Sequence, residues 1–139
     1  MSKEMKRVFI DANIFLRFLT RDDNSKYEKC KEIFKKAVEG EIVLATSAMV
    51  IAELIWTLMS YYKVSKADVI EKVSIIVGTE SLHLPDKNLI MDALVLYGRK
   101  DIDYIDAYNA VSMRRQGLSE IYSYDEDFDA IEGIQRKEP

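Results

Sequence analysis

The residues best placed to do chemistry in this 139-residue chain are carboxylates that stand where apolar stretches end or helices begin. Asp11 closes the run Val8-Phe9-Ile10. Glu53 is the sole formally charged residue between Glu41 and Lys63, with Met49, Val50, Trp56 and Thr57 as its helical neighbours. Asp103 and Asp106 stand three apart at the opening of a helix. The stretch Ser123-Tyr124-Asp125-Glu126-Asp127-Phe128-Asp129 holds four acids in five consecutive positions.

Each acid also has an ordinary reading. Asp11 can cap the helix that follows it, and Asp103 fits the same role for its own helix, which leaves Asp106, one turn in, as the ligand of that pair. Glu53 either lies on a narrow solvent-facing stripe or, if desolvated, requires a cation. Some acids of the 125–129 run are simply solvated; a calcium-loop reading is weak because the ligand spacing and central glycine of an EF-hand are missing. Their shared placement argues for one site. Gathered carboxylates repel and raise one another's pKa, so such a cluster persists when divalent cations neutralise it, and hard oxygen ligands favour magnesium or manganese. Two such ions can activate a water and stabilise the leaving oxygen of a phosphodiester.

The elements that must position these acids follow from periodicity. Short apolar runs at 7–10, 42–45, 82–84 and 120–123 read as strands, and 133–136 as a short edge strand. Between them lie helical stripes: one after Asp11, one opened by the capping-box pattern Ser25-Lys26-Tyr27-Glu28 and stopped by Gly40, and Ala48 to Tyr61 behind a Thr46-Ser47 cap. Further stripes run from Ser65 to Gly78, Asp86 to Gly98 and Asp103 to Gln116, the last ended by Gly117 as a left-handed residue; Lys137 to Pro139 is expected to fray. Alternating strands and helices imply right-handed crossovers, a mostly parallel sheet in a three-layer α/β/α sandwich, and a ligand crevice at the strands' carboxyl ends. With no repeat or linker, residues 1–139 are expected to form a single domain.

Composition sets outer bounds. Hydrophobic residues make up 48% of the chain, enough for a core without disulfides, and the single Cys30 suits a reducing, cytoplasmic setting as a core thiol. Met1 to Lys6 lacks the pattern of a signal peptide, and Thr46, Ser47 and Glu53 interrupt the stretch from Ile42 to Tyr62, which disfavours a membrane span. A net charge of −4 argues against bulk attraction to nucleic acid, yet acids gathered at one metal site would leave the remaining surface near neutral.

The stretches Phe9-Ile10-Asp11-Ala12-Asn13-Ile14-Phe15-Leu16, Val50-Ile51-Ala52-Glu53-Leu54, Asp103-Tyr104-Ile105-Asp106-Ala107-Tyr108-Asn109-Ala110 and Ser123-Tyr124-Asp125-Glu126-Asp127-Phe128 together resemble the PIN-domain family, in particular VapC-type toxins of toxin-antitoxin pairs. The resemblance implies a five-stranded parallel sheet, a magnesium- or manganese-dependent endoribonuclease, frequent homodimers and a cognate antitoxin. It assigns Asp11, Glu53 and Asp106 to the family's first three acids and favours Asp125 as the fourth, with Asp127 and Asp103 as further ligands. Ala12 stands where many relatives carry Thr or Ser, leaving Asn13 and Ser123 as polar supports of the acids.

Arg17 and Arg21 are the expected contacts to an RNA substrate, with Arg99, Arg114 and Arg115 as further candidates. Trp56, Tyr61 and Tyr62 are expected to form a self-association face. Two rival readings are a catalytically silent binding module, which needs no intact acid set, and a phosphoacceptor receiver domain, in which Glu53 has no purpose and a late-strand Lys is missing. His83 has no Ser or Cys partner of the nucleophile-elbow type, so a triad hydrolase is unsupported.

Overall fold

A computed structural model describes residues 5–139. Residues 1–4, on which part of the signal-peptide expectation rests, lie outside the described residues. The chain folds as two compact units that meet in sequence at Pro85 and Asp86.

The first unit runs β1 (Lys6–Phe9), α1 (Ala12–Thr20), α2 (Asn24–Val38), β2 (Ile42–Ala45), α3 (Ala48–Ser60), α4 (Lys66–Val77) and β3 (Leu82–His83). Its strands pair in the order β1-β2-β3, both pairings parallel, so each connection crosses over through two helices. Leu44 of β2, Phe15 of α1, Ile51, Leu54 and Leu58 of α3, and Val69, Val73 and Val77 of α4 are buried. The helical ones recur at three- and four-residue spacing, which is why these stretches fold as helices with one face inward. Cys30 is buried as expected, and that burial pushes its thiol pKa up.

The second unit runs α5 (Lys87–Arg99), α6 (Tyr104–Arg115), β4 (Glu120–Tyr122), the 3₁₀ helix η1 (Glu126–Ala130) and β5 (Gln135–Lys137). Strands β4 and β5 are parallel, and Gly117 takes the left-handed conformation (φ 72°) expected at the end of α6. The α/β class and parallel pairing are as expected. Among the described residues five strands form, paired in sheets of three and two where one sheet of five was expected.

Three local expectations need correction. The cap of α2 is Asp23, whose side chain accepts from the Lys26 N–H, so Ser25 falls within the first turn; a carboxylate two residues upstream captures the amide that the Ser25 reading left for the helix. The tail does not fray at Lys137, which pairs with Tyr122, accepts from the Ser123 N–H at 3.1 Å and reaches Glu120 with its ammonium at 3.1 Å. Residues 126–130 form a 3₁₀ helix, an element that the periodicity did not assign to this acidic run. No helix among the described residues is long and apolar enough to cross a membrane.

Candidate metal centre

Within the second unit, α6 and η1 bring three carboxylates together. Asp106 lies in the first turn of α6, a helix whose start is anchored by buried Tyr104 packed edge-on against Tyr97 of α5, ring centroids 5.9 Å apart. Asp103 takes the N-cap position with extended backbone (φ −75°, ψ 154°), yet its side chain makes no capping bond. Its backbone N–H instead donates to Asp127 Oδ2 at 3.2 Å, which ties η1 to the head of α6. One carboxylate oxygen from each of Asp103, Asp106 and Asp127 lies within 4.8 Å of the others.

Asp125 supports this group from the side. It caps η1, its Oδ1 accepting from the Asp127 N–H at 3.0 Å, while its own N–H donates to Ser123 Oγ at 3.0 Å. Ser123 thus meets the acidic run through the Asp125 backbone. Asp127 stands in the close cluster and Asp125 beside it, near enough to act on Asp106 electrostatically.

Asp106 carries the clearest sign of an unmet ligand. Only 8% of it is exposed, and its Oδ2 is buried with no hydrogen-bond partner among the described residues. An orphaned buried acceptor costs about 1–3 kcal/mol. Burial, and then the neighbouring Asp125 and Asp127, push its pKa up to about 7. Three carboxylates supply acceptors only, so as anions they cannot satisfy one another; a shared proton or a cation can. Oxygen ligands on a magnesium-sized ion at about 2.1 Å lie roughly 3 Å apart when adjacent and about 4.2 Å when opposite, so oxygens at the 4.8 Å bound would close by up to about 1.8 Å to share one. The donor set, all hard oxygens, fits magnesium or manganese.

The other two predicted acids belong to the first unit, and both are exposed. Asp11 ends β1 and caps α1, its Oδ1 accepting from the Asn13 N–H at 3.1 Å, so the capping role is real and occupies one oxygen. Asn13 meets Asp11 through its backbone. Glu53 shares an exposed stripe of α3 with Met49 and Trp56, and the desolvation argument for it is thereby corrected: an apolar sequence neighbourhood here means a helix whose other face is buried.

A residue overlooked in sequence is Thr46. Buried to 3% exposure, it donates its hydroxyl to the Ile10 carbonyl at 2.9 Å and its N–H to the His83 carbonyl at 3.0 Å, while Ile10 N–H reaches Ala45. Those bonds fix the end of β1 immediately before Asp11. The signal was the pair Thr46-Ser47 where one cap sufficed: Ser47 caps α3, which left the threonine for another task.

The expected substrate arginines have local partners. Arg17 is paired with Asp22 at 3.0 Å, an acid that also accepts from the Tyr62 hydroxyl at 2.9 Å. Arg21 ends α1 in the left-handed conformation (φ 52°), with its guanidinium 4.5 Å from the Tyr27 ring centre.

Comparison with known proteins now bears on these motifs. A VapC ribonuclease of Aquifex aeolicus (strain VF5) is 26% identical over 119 residues, covering 86% of this chain and 87% of that protein. The crystal structure of Mycobacterium tuberculosis VapC20, described as a sarcin-ricin loop cleaving toxin, is 22% identical and covers 94% of this chain and 98% of its own, with a TM-score of 0.41. The PIN domain family model matches residues 8–134, a span that runs through both units and all four acidic motifs, and the chain therefore belongs to the PIN-domain family.

Proposed function

We propose that this protein is a metal-dependent endoribonuclease and the toxin of a toxin-antitoxin pair. The observation that carries the reading is Asp106, whose Oδ2 is buried without a hydrogen-bond partner among the described residues and one of whose carboxylate oxygens lies within 4.8 Å of oxygens of Asp103 and Asp127. The family membership and the VapC ribonuclease relative support the same chemistry.

Asp106, Asp127 and Asp103 would hold magnesium or manganese, with Asp125 positioning Asp127 or joining it as a ligand. The ion, when bound, supplies a Lewis acid that lowers the pKa of a water for in-line attack on a phosphodiester. Asp106 retains a proton near neutral pH while unloaded and releases it on loading, so its carboxylate becomes fully anionic when a cation is there to balance it. The reading extends to Asp11 and Glu53 through their match to the family's motif, and to Asn13 and Ser123 as polar supports. Arg17 and Arg21 remain proposed phosphate contacts; Arg17 can use the guanidinium N–H groups not engaged by Asp22.

We further propose that the two units act as one PIN domain, because one family model spans both, and that the protein works in the cytoplasm. Partners on this reading are RNA, a cognate antitoxin and a second copy of the chain, the last through exposed Trp56 and Tyr61. The direct test is manganese-supported RNA cleavage by wild type, Asp11→Asn and Asp106→Asn. The expected result is loss of at least about 100-fold in each variant. Equal activity in Asp106→Asn, or full cleavage in chelator, overturns the mechanism.

A further inference from the structure

We propose that Arg136 is a positioning residue for the metal centre, clamping both ends of the loop that carries Asp125 and Asp127. The inference rests on the metal-centre reading above. Arg136 lies mid-strand in β5 with its side chain 14% exposed, and its guanidinium is almost fully committed. Nε and Nη2 donate to the two carboxylate oxygens of Asp129 at 3.0 and 3.1 Å, a bidentate fork at the far end of the loop. Nη1 donates to the Ser123 carbonyl at 3.2 Å, at the near end, and to Glu138 at 2.7 Å.

From Ser123 a continuous path leads to the site. Ser123 N–H donates to the Lys137 carbonyl, its carbonyl accepts from Arg136, and its Oγ accepts from the Asp125 N–H. Asp125 Oδ1 then accepts from the Asp127 N–H, and Asp127 Oδ2 accepts from the Asp103 N–H. The chain of bonds that reaches Asp125, Asp127 and Asp103 thus starts at Ser123, a residue that Arg136 holds. The loop needs such a clamp, because Asp125, Glu126, Asp127 and Asp129 are like charges within five positions and would otherwise splay. A Lys could supply the charge but not the planar fork that holds Asp129 and Ser123 in fixed relation.

The experiment uses the full chain and manganese alone as probe, comparing wild type with Arg136→Gln, Arg136→Lys, Asp129→Asn and Asp106→Asn. Manganese affinity is measured by titration calorimetry, and backbone amide exchange at 123–129 is measured on the metal-free protein. Arg136→Gln is expected to lose about 10-fold or more in affinity and to exchange faster across the loop than wild type, while the amides of α6 hold. Arg136→Lys recovers less than half of that loss, and Asp129→Asn, at an exposed carboxylate, loses about threefold and serves if Arg136→Gln does not fold. Wild-type affinity and loop exchange in Arg136→Gln, or in Asp129→Asn where that variant decides, overturn the clamp; so does a fall in melting temperature with affinity unchanged, which marks a merely structural arginine. Unchanged affinity in Asp106→Asn instead overturns the metal-centre reading, and loop exchange in the metal-free variants then still decides the clamp.

Discussion

At the scale of single residues, Asp106 joins two properties that oppose each other unless a cation is bound: a carboxylate in a buried position, and carboxylates for neighbours. Its pKa in the metal-free fold, about 7, exceeds the unfolded value of 3.8, so the native state binds the extra proton between those limits. This contribution to stability is complete below about pH 4 and is lost as the pH rises through about 7. Metal-free protein should therefore melt at progressively lower temperature over that window, and Asp106→Asn should flatten the slope in a pH series of thermal melts. Manganese should show the opposite trend, binding more tightly as the pH rises through about 7 because loading expels the proton. The position of Asp106 in its motif was legible in the sequence, and Asp103 and Asp127 were expected as further ligands; that Asp127 rather than Asp125 stands in the close cluster was not, because it depends on a 3₁₀ helix that turns a run of acids into specific faces.

At the scale of elements, helix periods and most boundaries were readable from apolar spacing, while caps were decided by competition that a pattern does not rank. Ser25 and Asp23 both precede the apolar stripe of α2, and the carboxylate at 23 holds the Lys26 amide. Asp23→Ala should cost about 1 kcal/mol in denaturant unfolding, with Ser25→Ala within about 0.5 kcal/mol of wild type; the reverse order would restore the capping box at Ser25. Thr46 shows a different limit. Its hydroxyl bond to Ile10 joins residues 36 apart, a partnership that depends on the pairing of β1 with β2. Thr46→Val leaves the Ile10 carbonyl without that donor and should lower stability by about 1–3 kcal/mol. On the proposed role of Asp11, the same change should reduce cleavage more than the fraction of folded protein explains.

At the scale of the whole molecule, the order of four motifs revealed the family, which a profile spanning residues 8–134 bears out, although the strands divide into sheets of three and two. Which strands share a sheet is weakly encoded in short runs such as 120–122 and 135–137, where Ile121 is the one apolar side chain with burial and the rest are polar or exposed. If the two units act as one domain, calorimetry should show a single transition whose van't Hoff and calorimetric enthalpies agree; two separated transitions would assign the units independent stability. Manganese at about 100 times its dissociation constant should stabilise the native state by about 2.7 kcal/mol. The claim on which the functional account depends is that Asp106 and Asp127 share a divalent ion. Anomalous diffraction from manganese-soaked crystals tests it most directly: the account predicts a peak about 2.1 Å from Asp106 Oδ2 with Asp127 in the same coordination sphere, and a saturating soak that leaves Asp106 without a peak, or places manganese elsewhere, contradicts it.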